Sequence, residues 1–280
     1  GTTVLEAYTY SYDKNNNIVK KTEKNSTAKE EKDHTDQTTE YTYNALGRLT
    51  KSVVTDHKKN EEKTTTTYSY DSAGNRTKKV KGEEETAYTY NGLNQLLKAK
   101  TTKGDTVKND ISYEYDVNGN QIKETDKETG DSVENTYDVE NRLSTVTVTK
   151  KSGTSGNETV SLTQENLYNG EGQRIQKKEA GEVTNYFYED GMVSYTTGAD
   201  TGEKLIQNLS GLEDNVIYAE QKITGKAGTA SDYQDFLYTK DIQGSTSSIL
   251  NKDTKGELSY EYDDFGETSI HGNSALKNEI

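Results

Sequence analysis

Few side chains in the chain could carry out catalysis or bind a metal ion. The 280 residues include three histidines, His34, His57 and His271, and no cysteine. Each histidine lies in a polar stretch, and none has a second ligand at the spacing of a zinc site. The lack of cysteine rules out disulfides, thiolate ligands and a cysteine nucleophile. The sequence therefore predicts no catalytic residue, no cofactor and no metal site.

Carboxylates and tyrosine rings are the other groups that could do chemistry. Adjacent acids such as Asp263 and Asp264 alternate faces on a strand, so only one of the two could enter a site. A repeated Asp or Asn could bind calcium, but calcium needs several converging oxygens, and exchange with Asn favours a turn role. Tyrosine faces could stack on sugar rings, so carbohydrate binding stays open as the alternative to packing.

The tyrosines belong to a repeat that is clearest in the stretch YTYNALGRL, which starts at Tyr41. It returns as YSYDSAGNR, YTYNGLNQL and YEYDVNGNQI, with weaker copies from Tyr10, Asn135 and Asn166 and a last one, YEYDDFGE, from Tyr260. A period of this kind points to an array of similar units. The structural residues of the four clearest copies are Tyr41, Tyr43, Asn44, Gly47, Tyr68, Tyr70, Asp71, Gly74, Tyr88, Tyr90, Asn91, Tyr113, Tyr115, Asp116 and Gly119.

Each copy predicts a β-hairpin. Tyr-x-Tyr places two rings on one face of a strand, because side chains alternate with period 2. The Asn or Asp that follows is expected to cap a tight turn through its side chain. The fourth residue after the second tyrosine must tolerate a positive φ, and in seven copies it is Gly or Asn. These seven residues are Asn16, Gly47, Gly74, Asn94, Gly119, Asn141 and Gly172.

One hairpin cannot bury enough surface to fold alone, so neighbouring hairpins are expected to pair edge to edge. The sequence thus predicts an all-β fold, a curved antiparallel sheet of repeated hairpins. We expect residues 1–180 to form the hairpin array. Residues 181–280 are expected to form divergent repeats that continue the same sheet. The N-terminus looks like the inside of a repeat rather than a signal peptide, which suggests a piece of a longer chain.

Composition narrows the possible partners. The formal net charge of −14 argues against nucleic acid, because phosphate binding needs an excess of Lys and Arg. No apolar run is long enough to span a membrane. The 21 tyrosines can supply a core that the few aliphatic residues cannot.

The repeat signature resembles the YD repeat of the Rhs/YD-repeat, teneurin-like proteins. The segment from Asp241 is similar to the start of the Rhs core-associated region, although that family usually has Pro at the position of Asp264 and often Arg at that of Ser247. Neither departure changes a role that we can assign. The matching residues are Asp241, Gly244, Ser245, Thr246, Tyr260, Tyr262, Asp263, Phe265 and Gly266.

The resemblance implies a sheet that winds into a shell around a C-terminal toxin segment of the same polypeptide. It implies a non-enzymatic scaffold that is secreted or wall-associated in a bacterium, and the Lys- and Asn-rich composition points to a Gram-positive one. The self-cleavage motifs of some members have no match here. The alternative is a cell-surface, adhesin-like module that binds a glycan or a partner protein. A third hypothesis is a hydrolase site in the non-repeat second half.

Overall fold

The protein consists almost entirely of β-strands and tight turns, which confirms the all-β prediction. The structure is a computed structural model that describes residues 4–28, 30–152, 157–199, 203–211, 216–222, 233–273 and 276. Two three-residue 3-10 helices, Glu31–Asp33 and His57–Lys59, interrupt the strands. No helix in these ranges is both long and apolar enough to cross a membrane.

The strands of the described ranges follow one another through short connections. In chain order they are β1 (Glu6–Tyr12), β2 (Ile18–Asn25), β3 (Thr35–Tyr43), β4 (Leu49–Asp56), β5 (Glu62–Tyr70), β6 (Arg76–Lys81), β7 (Glu84–Tyr90), β8 (Leu96–Lys103), β9 (Thr106–Tyr115), β10 (Gln121–Asp126), β11 (Ser132–Tyr137), β12 (Leu143–Ser152), β13 (Asn157–Tyr168), β14 (Arg174–Glu179), β15 (Glu182–Glu189), β16 (Met192–Thr197), β17 (Lys204–Ser210), β18 (Val216–Lys222), β19 (Tyr233–Lys240), β20 (Thr246–Asn251), β21 (Gly256–Tyr262) and β22 (Thr268–Gly272).

Within each unit, consecutive strands pair antiparallel, as a chain of hairpins requires; examples are β1 with β2, β2 with β3, β7 with β8 and β20 with β21. Two compact units result. Unit 1 combines Gly1–Thr64 with Phe187–Ile280, and unit 2 is Thr65–Tyr186. The change of repeat type expected near residue 180 stays a prediction.

A register shift recurs at the hairpin turn of the seven copies that start between Tyr10 and Asn166, but not at the turn after Tyr262. The second tyrosine of a copy pairs with the residue six positions later, and one residue of the returning strand is skipped. The pairs include Tyr12 with Ile18, Tyr70 with Arg76 and Tyr90 with Leu96. Such a bulge bends the strand and leaves two consecutive residues on one face.

The apolar core of unit 1 comes from its last hairpins. Phe236, Ile249, Leu258 and Leu276 form one buried cluster, and Tyr238, Tyr260 and Ile270 pack against it. Register explains the cluster, because Tyr238 pairs with Ile249 and Ile249 pairs with Leu258, which puts these residues on one face of β19–β21.

The opposite face of β19–β21 is mainly polar and lies against the first hairpins of the chain. We call this contact the polar seam; its residues are Glu6, Asn25 and Thr27 on one side and Thr239, Ser247 and Ser248 on the other. The bulge at Lys240 and Thr246 skips Ser247, so Ser247 and Ser248 both point toward the first hairpins.

Unit 2 buries little aliphatic surface. Tyr68 is the one buried apolar residue that its described part contains. The other signature tyrosines of this unit are half-buried in rows across the hairpins. Unit 2 therefore relies on tyrosine rows and hydrogen bonds, as the low aliphatic content predicts.

Candidate functional site

The hairpin turns are built as the signature predicts. In each copy the Asp or Asn side chain accepts hydrogen bonds from the backbone N–H groups two and four residues later. Asn44 Oδ1 accepts from Leu46 and Arg48, both at 3.0 Å, and Asp116 Oδ1 accepts from Asn118 and Asn120, both at 2.9 Å. All seven predicted left-handed residues have positive φ, from 60° at Asn141 to 97° at Gly74.

In six of the seven copies the polar residue after the left-handed position complements the cap, which the sequence reasoning missed; the exception is Arg48, which follows the Asn44 cap. Where the cap is Asp, the partner donates: Asn120 Nδ2 reaches Asp116 Oδ2 at 2.9 Å, and Arg142 Nε reaches Asp138 Oδ2 at 2.7 Å. Where the cap is Asn, as at Asn91, Gln95 accepts from it at 2.6 Å. The sequence did contain this signal, because the residue type after the left-handed position changes together with the cap. An Asp carboxylate only accepts hydrogen bonds, whereas an Asn amide can also donate one.

The second tyrosine of a copy fastens its hairpin to the preceding one. Its hydroxyl donates to the carbonyl oxygen of the bulged position in the previous copy. This bond recurs from Tyr43 to Ile18 at 2.8 Å, Tyr90 to Arg76 at 3.0 Å, Tyr115 to Leu96 at 2.9 Å, Tyr137 to Gln121 at 3.0 Å, Tyr168 to Leu143 at 2.9 Å and Tyr262 to Thr246 at 2.7 Å. The ring pattern predicted packing between hairpins, and the hydroxyl bonds are an additional, directional link.

Arginines replace the aliphatic residue at some bulged positions. The Arg76 guanidinium lies 4.7 Å from the centroid of the Tyr88 ring and 5.9 Å from that of Tyr68. Arg174 lies 4.8 Å from Tyr186 in the same way. Cation–π contacts therefore take over the packing role, which explains why this position is not strictly aliphatic.

Neighbouring turns of unit 2 also bond to one another. Asn75 Nδ2 donates to Asn94 Oδ1 at 2.8 Å, and Asn120 Nδ2 donates to Asn141 Oδ1 at 2.9 Å. Arg142 Nη1 reaches the Asn169 carbonyl at 3.1 Å. The turn residues are thus tied along the row of hairpins as well as within each hairpin.

The segment that resembles the core-associated region uses the same chemistry. Asp241 Oδ1 accepts from Gln243 and Ser245, both at 2.9 Å, and Gly244 has φ 82°. Asp263 Oδ1 accepts from Phe265 at 2.8 Å, and Gly266 has φ 85°. Tyr260 packs on the apolar core.

Ser247 and Asp264, the two departures from the family pattern, both contact other residues of unit 1. Ser247 donates to Glu6 Oε2 at 2.9 Å, and the Asp264 carboxylate accepts a hydrogen bond from the Ser52 hydroxyl. Ser52 is 1% exposed, so the turn after β21 is held against β4. These residues make contacts in this chain that Arg and Pro would not make in the same form.

The pKa shifts follow from the structural contacts. Hydrogen bonds from the side chains of Asn17, Asn75 and Asn120 lower the pKa values of Asp13, Asp71 and Asp116. Burial is the main cause that raises the pKa values of Tyr10, Tyr113 and Tyr238 to about 12. Carboxylates are thus held charged and phenols neutral, as structural contacts require.

The histidines make ordinary structural contacts: His34 lies outside the strands, His57 begins a 3-10 helix and His271 lies in β22. His57 bonds to Thr38 at 2.9 Å and to Glu61 at 2.9 Å, and His34 Nε2 lies 2.8 Å from the Ala28 carbonyl oxygen. His271 lies 3.8 Å from Asp33 and 3.9 Å from Glu261. Over the part of the chain that the structure covers, no three His, Asp or Glu side chains form a group that could hold a metal ion.

Comparison with curated proteins found a relative that matches nearly the whole chain. No protein-family model matches the chain. The tRNA3(Ser)-specific nuclease WapA of Bacillus spizizenii is 27% identical over 261 residues, which is 91% of this chain and 8% of that protein. The chain thus spans less than a tenth of the curated relative that it matches.

The chain also matches solved toxin structures at low sequence identity. The Tc holotoxin pore of Photorhabdus luminescens is 13% identical, with a TM-score of 0.48, over 98% of this chain and 18% of that one. The TcdB2–TccC3–Cdc42 crystal structure is 13% identical, with a TM-score of 0.49, over 95% and 18%.

The hairpins, their capped turns and the tyrosine bonds between copies define a class of protein, an antiparallel array of YD-type repeats. These features resemble those of the Rhs/YD-repeat proteins, and the sequence is similar to the nuclease WapA, at 27% identity, over nearly the whole chain.

Proposed function

We propose that this chain forms part of the wall of a protein shell. It is a non-enzymatic scaffold within a bacterial Rhs/YD-repeat protein that is secreted or associated with the cell wall. In this proposal the wall encloses or delivers a C-terminal toxin segment of the same polypeptide. We also propose that the protein comes from a Gram-positive bacterium. The net charge of −14 suits a basic cargo, because an acidic surface attracts one.

One observation carries the proposal, namely that the signature residues are engaged in structure. The second tyrosine bonds to the preceding hairpin, the Asp or Asn caps its own turn, and the Gly or Asn takes the left-handed position. A catalytic or binding role would need some of these groups to be directed at a ligand instead. The sequence match to a nuclease is in keeping with a wall that serves a toxin.

The test uses the natural polypeptide expressed from its gene. Limited proteolysis should leave the C-terminal toxin segment intact while it cleaves exposed loops of the wall. A variant in which Tyr90, Tyr115 and Tyr137 are all changed to Phe should make that segment accessible, because three bonds between hairpins are lost. The Tyr12→Phe variant is the control, since Tyr12 is 49% exposed in the first copy.

Two results would contradict the proposal. One is a gene that encodes no segment after residue 280. The other is a C-terminal segment that is digested equally fast in the parent and in the triple variant. Glycan binding by the purified chain that is lost on Tyr→Ala substitution, with folding intact, would favour the adhesin-like module instead.

A further inference from the structure

The hairpin strands β19–β21 are buried on two faces of opposite character. On one face lie Phe236, Ile249 and Leu258, each at most 1% exposed. On the other face lie Ser248 and Ser259, which pair with each other and are 0% and 4% exposed. Among the described residues, the members of the apolar cluster all come from residues 236–276, whereas the polar face is in contact with the start of the chain.

The Glu6 carboxylate sits in a pocket of hydroxyl groups at the centre of the polar seam. Oε1 accepts from Ser248 at 2.5 Å and from Thr239 at 3.0 Å, and Oε2 accepts from Ser247 at 2.9 Å. Asn25, in the strand beside Glu6, adds a bond to Oε1 at 3.2 Å. Three of these four donors belong to the last hairpins, so one side chain of β1 carries much of the contact.

The rest of the seam is mainly polar and backbone groups, with the Tyr8 ring beside Ser247 and the buried Leu250 two residues from Ser248 on the same strand. Thr27 Oγ1 lies 2.6 Å from Ser248 Oγ, and Asn25 Nδ2 donates to the same hydroxyl at 3.0 Å. The Thr27 carbonyl lies so close to Gly256 that a Cβ on Gly256 would overlap its oxygen. Farther along, Thr35 Oγ1 donates to Glu261 at 2.5 Å.

The free energy needed to separate each face from the residues packed on it differs between the two faces. Water can replace hydrogen bonds, so a polar contact contributes a modest net free energy. It cannot replace buried apolar contacts, whose exposure is unfavourable in proportion to area. Proteins open locally where few apolar contacts hold an element. The polar seam should therefore separate at a lower free energy than the apolar core.

We propose that the polar seam is a latch: the first hairpins detach from β19–β21 as a unit while the apolar core stays intact, and the Glu6 carboxylate in its hydroxyl pocket holds the latch closed. The proposal does not rest on a cargo or on the proposed function. It assigns roles to Ser247, where the family often has Arg, and to Glu6.

Single cysteines in this cysteine-free chain can report the opening. Ser259→Cys places a thiol on the seam face, where the Ser259 hydroxyl is buried with no hydrogen-bond partner among the described residues, so the substitution is mild. Ile249→Cys places a thiol on the apolar face of the neighbouring strand, at 0% exposure. Under native conditions, an aromatic disulfide reagent should label the Ser259→Cys variant at least tenfold faster than the Ile249→Cys variant.

Removal of the Glu6 charge separates the latch from general instability. Glu6→Gln should speed labelling of the seam-face thiol about tenfold, because charge-assisted hydrogen bonds are lost, and should change labelling of the core-face thiol less than twofold. Glu40→Gln, at an exposed acid of the same unit, is the matched control and should change neither rate. Equal labelling rates for the two thiols, or no effect of Glu6→Gln on the seam-face thiol, would overturn the latch.

A disulfide gives a second measurement should Glu6→Gln fail to fold. Thr27→Cys with Ser248→Cys joins two side chains whose oxygens are 2.6 Å apart, close to the reach of a disulfide. Oxidation should slow hydrogen exchange in β1–β3 at least tenfold relative to the reduced form. Thr136→Cys with Thr145→Cys, also 2.6 Å apart but within one hairpin of unit 2, should leave β1–β3 unchanged. Unchanged exchange in the seam variant would count against the latch.

Discussion

At the scale of single residues, the tyrosine hydroxyl distinguishes this repeat from a purely apolar ladder. A ring alone would pack equally well in slightly different registers. The bond from Tyr115 to the Leu96 carbonyl fixes one hairpin against the previous one, and the same bond recurs along the array. The bulge supplies the acceptor, because it interrupts regular pairing at that carbonyl.

Tyr115→Phe tests the value of this bond. It should lower the free energy of unfolding by about 0.5–1.5 kcal/mol, the net contribution of a hydrogen bond, while the ring stays in place. Tyr12→Phe removes a hydroxyl from an exposed ring and should stay within about 0.5 kcal/mol of the parent. Urea denaturation measures both. A loss at Tyr12 equal to that at Tyr115 would show that the hydroxyl bond contributes nothing specific.

Gly256 is a glycine that is required by close approach rather than by a turn. A Cβ there would overlap the Thr27 carbonyl, so Gly256→Ala should cost about 1–3 kcal/mol or more. Gly92→Ala is the matched change, because a Cβ at Gly92 meets no atom within 4 Å. It should be neutral or stabilise by up to about 1 kcal/mol. Thermal unfolding of the two variants decides, and a harmless Gly256→Ala would show that the first and last hairpins are not in backbone contact.

At the scale of the hairpin, the turn sets the register of both strands. Gly47 has φ 72° and a Cβ there would meet nothing within 4 Å, so a substitution costs backbone strain alone. Gly47→Val should therefore destabilise by at least about 1–2 kcal/mol. Ala45→Val, two residues earlier in the same turn, should stay within about 0.5 kcal/mol. Chemical denaturation of the pair is the measurement, and equal effects would be incompatible with a left-handed residue at position 47.

The hairpins could be predicted from sequence because their determinants are local. The cap, the left-handed residue and both tyrosines of a copy lie within seven residues, and each has a strong conformational preference. The links between copies could not be predicted so directly. The bond from Tyr43 to Ile18 joins residues that are 25 positions apart, and its acceptor is a backbone atom that any residue could supply.

The polar seam could not be predicted from sequence patterns. Glu6 and Ser248 are 242 positions apart, and nothing in β1 marks Glu6 as different from other acids. Ser247 and Ser248 meet it together only because a bulge turns both to one face. The family pattern suggested Asp264 and Ser247 as departures, but their partners became evident only from the packing of unit 1.

At the scale of the whole molecule, half-buried tyrosines replace much of the aliphatic core. This substitution brings a pH limit that an aliphatic core lacks. Burial raises the pKa values of Tyr10, Tyr113 and Tyr238 to about 12, whereas the unfolded chain loses these protons near pH 10. Between those values the unfolded state binds fewer protons than the folded state, so stability must fall as pH rises.

We therefore expect the free energy of unfolding to be insensitive to these groups up to about pH 9 and to decline from pH 10 toward pH 12. Urea denaturation at stepped pH gives the free energy, and absorbance at about 295 nm follows phenolate formation in the folded protein. Tyr113→Phe should make the decline shallower, because the phenol at that position no longer ionises on unfolding. Folded protein in which all tyrosines ionise near pH 10, with no loss of stability, would show that the rings are solvated rather than packed.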